Sequence, residues 1–351
     1  MAFPDFQSFL AELERRGQLR RISVEVNPIL EISEIADRVS KSPAAGGAPP
    51  PKTDPAHGHR GGHALLFERV RGSAVPVAIN TFGSYERVRL ALGCDDLEEL
   101  AAKVQQLVKP EVPTTLMDKL QKLPELARIA GYPPKVVRSG ICQQVVRTDD
   151  ADLLRLPVIQ CWPEDGGRYI TLGGVYTRDP ETGDRNVGMY RVQLHGPRLC
   201  AMHWHMHHDG ARHWRAYKRR GEKMPLAVVL GGESVLPYAA TCPLPPNVSE
   251  LLFAGFLNGR GIELVKCRTI DLEVPANAEI VVEGYIDPAE PLIREGPFGD
   301  HTGYYSLPDD YPRYHVTAIT HRRDPVYPTT IVGWPPQEDY YLGKATERIF
   351  L

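Results

Sequence analysis

The sequence predicts an α+β protein, with a small N-terminal α/β domain over residues 1–112 followed by a β-rich domain over 113–333. Two observations carry this. Strand-like runs lie between helical patterns in the first third of the chain. Beyond Cys142, short β-rich runs separated by Gly- and Pro-containing turns take over, the texture of a barrel or sandwich. A third observation concerns residues 344–351, which read as a helix in progress with an apolar end and no C-cap glycine. Residues 334–351 are therefore expected to begin a linker or helix toward a further, missing C-terminal domain.

Taken in order, Asp5 can cap a helix whose Phe6, Phe9, Leu10 and Leu13 follow helical spacing, and Gly17 ends it. A second helical pattern covers residues 30–39. Residues 42–62, rich in Pro, Gly, Ala and His, are expected to form a mobile surface insertion, with His57, His59 and His63 solvated rather than bound to metal. Strand-like runs at 64–67 and 75–80 precede two helices, the second with Leu97, Leu100, Ala101, Val104 and Leu107 on one face. Residues 111–140 carry another helix and a Pro-rich connection. The β-rich runs that follow fall at 187–194, 199–205, 226–230, 263–269, 279–286, 314–320 and 329–332. One helix at 247–257, capped by Asn247 or Ser249, interrupts them.

Composition narrows the function classes. A hydrophobic content of 42%, a charged content of 24% and a net charge of −3 describe an ordinary globular chain without the basic character that nucleic acid or acidic membranes require. The six cysteines are scattered and form no C-x-x-C pair, which points to reduced thiols rather than a disulfide frame. The N-terminal stretch lacks the basic and apolar regions of a signal peptide, and no apolar run reaches membrane-spanning length. A cytoplasmic protein with no stable membrane anchor is expected.

Three stretches could carry chemistry. Arg294-Glu295-Gly296-Pro297-Phe298-Gly299-Asp300-His301 places two carboxylates five residues apart on a loop shaped by two glycines and a proline. Two acids near one point cannot both ionise freely, so one pKa rises unless a cation intervenes, and such a pair suits general acid/base work. The second stretch contains His203, His205 and His207, which would share one face of a strand and form a three-His metal site or a solvated face. In the third, Glu250 falls in the first turn of a helix, as a hard-cation ligand or a capping acid.

The ordered set of residues 186–191 (Asn-Val-Gly-Met-Tyr-Arg), 203–210, 243–250, 265–267, 272–276, 283–284 and 295–304 resembles the UbiD family across nearly the whole chain. These are reversible (de)carboxylases of aromatic and α,β-unsaturated acids that use prenylated FMN. The resemblance implies an N-terminal α/β domain, a split β-barrel holding the flavin, and a C-terminal domain beyond. It implies that Asn186, His207 and Glu250 hold a divalent cation, Mn²⁺ or Mg²⁺, with K⁺ as a further candidate. Met189, Tyr190, Arg191, His203, Trp204, His205, His208 and Asp209 would line the flavin. This demotes His203 and His205 from metal ligands, and the His203-Trp204-His205 and His208-Asp209 stretches depart from the more basic residues of ubiquinone-pathway members. Catalysis would rest on Arg191, Glu295 and Asp300, with Arg191 keeping Glu295 ionised. Asp300, its pKa pushed upward beside an apolar substrate and a second acid, would be the proton donor. The implied partners are an aromatic acid such as a 4-hydroxybenzoate-type quinone precursor, a UbiX-like flavin prenyltransferase that supplies the cofactor, and further copies of the full-length chain. Two other readings remain: a flavin oxidoreductase on a split barrel, and an inactive truncated fragment that keeps the fold without the complete site.

Overall fold

The computed structural model describes residues 2–46, 52–108, 129–244 and 248–350. Helix α1 (Phe6–Arg15) starts where Asp5 Oδ1 accepts the Ser8 N–H at 2.7 Å, and it buries Phe6, Phe9, Leu10 and Leu13. Strand β1 (Leu19–Val26) and helix α2 (Glu31–Ser40) follow. Next come β2 (Ala64–Val70) and β3 (Val77–Ile79), then α3 (Tyr85–Leu92) and α4 (Leu97–Val108). Leu97, Leu100, Ala101 and Val104 are buried on one face of α4, as their spacing requires. The helix expected between 111 and 140 falls mostly outside the described residues.

The second half of the chain begins with β4 (Lys135–Val137), β5 (Val145–Arg147), β6 (Tyr169–Ile170), β7 (Gly174–Arg178) and β8 (Arg185–Met189). β9 (Val192–Leu194), β10 (Leu199–Met202), α5 (Asp209–Arg220), β11 (Met224–Gly231), α6 (Leu236–Ala239) and α7 (Glu250–Asn258) continue it. β12 (Glu263–Lys266), β13 (Glu273–Pro275), β14 (Ala278–Ile286), β15 (Ile293–Glu295), β16 (Asp309–Tyr311) and β17 (Arg313–His321) complete it. An antiparallel sheet of order β6-β9-β10-β17-β14-β11-β7-β8, with β5 added to β17, forms a curled half-barrel. Its central strands β11 and β14 are buried along nearly their whole length, which is why they read as apolar runs rather than as alternation.

Three findings differ from expectation. The run expected at 187–194 is two strands, broken at Tyr190-Arg191, and β10 stops at Met202, so residues 203–208 are a turn and not a strand. The run expected at 329–332 is instead β18 (Tyr327–Pro328), which pairs in parallel with β3 and completes a sheet of order β1-β2-β3-β18. The N-terminal sheet therefore takes a strand from the far end of the chain. Helix α8 (Glu338–Phe350) then packs on α3 and α4, burying Tyr341, Leu342, Ala345 and Ile349. One apolar core runs from Ile32 and Ala36 of α2 and Phe67 of β2 through to Leu226, Val228 and Val282 of the half-barrel.

The third difference concerns residues 42–62. Outside 47–51, this segment is fastened to the body. Arg87 of α3 is fully buried and donates to the Gly62 and Gly61 carbonyls at 2.8 and 2.7 Å and to Gln18 Oε1 at 3.2 Å. Asp54 accepts the Tyr85 hydroxyl at 2.9 Å and the His57 N–H at 3.1 Å. Composition misleads here because polar contacts, not apolar area, hold the segment. Burial pushes the Arg87 guanidinium down to about 10, and its carbonyl partners offset part of that cost. Replacing Arg87 by Met should strand those carbonyls, cost about 3 kcal/mol in chemical denaturation and expose the segment to protease; unchanged stability would show that the fastening lies elsewhere.

Candidate functional site

Arg191 stands at the break between β8 and β9, where no ladder constrains its side chain, and reaches over the loop that follows β15. Its Nε donates to Glu295 Oε1 at 2.8 Å and its Nη2 to Oε2 at 3.0 Å, a bidentate pair. Its Nη1 donates to Asp300 Oδ2 at 3.1 Å, and Nη2 also reaches Ser306 Oγ at 3.0 Å. The guanidinium lies 4.7 Å over the Phe298 ring. The Glu295 side chain is fully buried, whereas that of Asp300 keeps 31% of its surface open. One cation thus stands between the two acids.

The loop holds its shape through residues that sequence reasoning missed. Asp165 Oδ1 accepts the Gly299 N–H at 2.7 Å, while its Oδ2 accepts those of Cys161 and Trp162. A side chain at 299 would come 2.1 Å from Trp162 Cδ1, so only glycine fits. Gly296, at φ 90°, donates its N–H to Gln193 Oε1 at 2.9 Å. The Tyr169 hydroxyl donates to the Pro297 carbonyl at 3.2 Å, and its ring packs on Phe298. The Ser306 N–H returns to the Phe298 carbonyl, closing the loop on itself. Spacing carries no signal for Asp165 or Gln193, which lie more than a hundred residues from the loop in sequence. Phe298 lies within the motif and Ser306 just beyond it.

The electrostatics correct one expectation. Burial pushes the Glu295 carboxyl up, but His203, whose Nδ1 lies 3.0 Å from Oε2, and Arg191 more than offset it, and the net direction is down. Burial likewise acts upward on Asp300. The His301 side chain and N–H, followed by Arg191, outweigh it and hold Asp300 below its ordinary value as well. Asp300 was expected to rise; the cation and the His301 contacts prevent it.

The histidines also rearrange. His203 packs on Tyr311 with ring centres 4.4 Å apart and is turned toward Glu295, and its Nε2 lies 3.4 Å from His205 Nε2. His205 and His207 are exposed on the turn before α5, so the three-His strand face does not form. Among the described residues, no group of three His, Cys, Asp or Glu could hold a metal ion. His208 leads into α5 and packs on Tyr190, whose ring also meets Trp204 edge-on. Met189 is half-buried at the end of β8, and Asp209 is exposed at the start of α5.

Asn186 and Glu250 do come together. Glu250 opens α7 beneath the Ser249 cap, and its Oε2 accepts the Val187 N–H at 3.0 Å; Asn247 lies outside the described residues. The Asn186 side chain is buried, and its Nδ2 meets no acceptor at hydrogen-bonding geometry, although the nearby amide lowers the Tyr190 hydroxyl, which burial pushes up to about 12. Burial raises the Glu250 carboxyl, and its own N–H and that of Val187 oppose the rise. The Asn186 amide oxygen and the Glu250 carboxylate are donor types that fit a hard divalent cation. His207 makes no hydrogen bond to either residue among those described.

Because the Glu295 and Asp300 carboxyls lie below their ordinary values of 4.5 and 3.8, they contribute stability that is fully present above those values and is lost as pH falls through the lower folded values. Glu295→Gln should cost about 3 kcal/mol at pH 7 by leaving Arg191 half-paired. Between pH 5 and pH 3, denaturation midpoints should then fall less for this variant than for the parent protein. Equal acid losses in the two proteins would remove Glu295 as the source.

Comparison with known proteins agrees with this architecture. The model for the 3-octaprenyl-4-hydroxybenzoate carboxy-lyase Rift-related domain matches residues 135–335, and that for the N-terminal domain of the same carboxy-lyase matches 10–104. An uncharacterised protein of Aquifex aeolicus (strain VF5) is 52% identical over 349 residues, covering 99% of this chain and 68% of its own length. One from Archaeoglobus fulgidus is 44% identical over 352 residues, covering 100% and 68%. The structure of an evolved dimeric form of the UbiD-class enzyme HmfF from Pelotomaculum thermopropionicum, in complex with prFMN, superposes with a TM-score of 0.80 at 30% identity. That match covers 98% of this chain and 70% of the other. Vanillic acid decarboxylase of Sedimentibacter hydroxybenzoicus in its closed form gives a TM-score of 0.79 at 29% identity, over 97% and 67%. The Rift-related match alone takes in more than half of the residues, and the chain belongs to the UbiD family.

Proposed function

We propose that this protein is a reversible, non-oxidative decarboxylase of an aromatic or α,β-unsaturated carboxylic acid, with a 4-hydroxybenzoate-type quinone precursor as the first candidate. The observation that carries this reading is the Arg191 guanidinium held between a sealed acid and a partly open one, above an aromatic ring. Glu295 fixes the position of Arg191, which attracts and orients a substrate carboxylate beside Phe298. Asp300, ionised at neutral pH, takes the proton in the carboxylating direction. In decarboxylation it delivers to the substrate carbon a proton that it must first acquire.

Prenylated FMN, the group bound in the HmfF structure, would supply the electron sink for the carbon that loses CO₂. The cradle proposed for it comprises Met189, Tyr190, Arg191, His203, Trp204, His205, His208 and Asp209. Supporting this, the Trp204 indole N–H is buried without a partner among the described residues. Asn186 and Glu250 would hold the Mn²⁺ or Mg²⁺, joined by His207 from its turn, with K⁺ as a further candidate. A flavin prenyltransferase would supply the cofactor, and assembly into homo-oligomers is part of the proposal. No helix among the described residues is long and apolar enough to cross a membrane. A split-barrel flavin oxidoreductase would have no use for two acids clamped on one arginine.

The test is to co-express the chain with a flavin prenyltransferase, record absorbance and metal content, and screen aromatic acids for CO₂ release and solvent hydrogen exchange. Asp300→Asn should abolish both while the flavin spectrum remains; Glu250→Ala should lose the metal and weaken flavin binding. Full activity of Asp300→Asn would remove that residue from proton transfer, and a colourless, metal-free parent protein would favour the inactive-fragment reading.

A further inference from the structure

Each decarboxylation consumes one proton, and Asp300 does not hold one at rest. Its two oxygens are occupied differently. Oδ2 accepts from Arg191, which cannot give up a proton in a protein. Oδ1 accepts the His301 N–H at 2.8 Å and lies 2.9 Å from His301 Nδ1. Among the described residues, Arg191 and His301 are the side chains that hydrogen-bond to the Asp300 carboxylate, and the His301 side chain is 68% exposed. An imidazole can take a proton from water at one nitrogen while giving one up at the other.

We propose that His301 relays protons between solvent and Asp300. This rests on the decarboxylase reading above. The balance is simple. The C–CO₂ bond breaks and CO₂ leaves; the substrate carbon takes a proton from Asp300, Asp300 takes one from His301 Nδ1, and His301 takes one from water at Nε2. Carboxylation reverses each transfer, and nothing is oxidised or reduced. His301 acts through Asp300 and is a positioning residue. The charged groups facing this relay are Arg191 on Asp300, with His205 nearby.

The experiment uses the cofactor-loaded full chain and whichever acid of the screen it decarboxylates fastest. His301→Ala should lower kcat about 100-fold, leave KM within about twofold, and recover part of its rate on adding imidazole, which a merely structural loss would not do. Wild-type kcat in this variant, or a loss that imidazole does not restore, overturns the relay while leaving the decarboxylase reading intact. If the loaded parent protein releases CO₂ from no acid, that reading falls and the relay with it.

Discussion

The bidentate pair between Arg191 and Glu295 is the interaction on which the rest of the site depends. A fully buried carboxylate is costly to form, and it stays ionised because a fixed guanidinium fork and an imidazole meet both of its oxygens. That requirement sets the geometry around it. The strand carrying Arg191 must break at residues 190–191 to free its side chain, and Glu295 must end β15 so that the chain can turn at once. The loop must then curl tightly enough to bring Asp300 to the remaining guanidinium nitrogen. Asp165, Gln193 and Tyr169 hold that curl through backbone groups.

The same logic recurs in the N-terminal half with a different outcome. Arg87 is as deeply buried as Glu295, yet its direct partners are carbonyls and an amide oxygen, with the Glu338 carboxylate acting on it only at longer range. Glu338 itself is spent on the backbone N–H groups of Asn80 and Phe82, which ties the start of α8 to the loop after β3. Buried charges are thus used twice as fasteners: once to fix a polar segment to α3, once to seat α8. The second matters for the site, because the segment leading into α8 packs Trp334 against Gly303 of the loop carrying His301.

How much of this was legible depended on whether the signal was local. The α1 cap, the apolar faces of α1 and α4 and the central strands of the half-barrel follow from spacing and burial, and their elements lie where the pattern put them. Arg191, Glu295 and Asp300 were legible as a group only through the ordered motifs of a family, since nothing local ties residue 191 to residue 300. Helix α5 went unread because charged and aromatic residues dominate it, while its small buried residues, Gly210, Ala211 and Ala216, give a weak apolar stripe. The histidines ahead of it then looked like a strand. The direction of Asp300's pKa was misjudged for a related reason: the upward push of burial can be anticipated from a loop of Gly, Pro and Phe, whereas the donors that oppose it are visible only in three dimensions.

The asymmetry between the two acids follows from where each meets water. Glu295 is sealed and bonded at both oxygens, which suits it to aiming Arg191 in the proposed reaction. Asp300 shares that arginine through a single bond, retains open surface and touches an exposed imidazole. A proton placed on Glu295 would break the bidentate pair; one placed on Asp300 costs a single contact to Arg191 and can come and go through His301. One cation between two carboxylates therefore leaves both below their ordinary values, and in the proposed reaction it would separate their duties, with the acid assigned to proton transfer resting ionised and close to solvent.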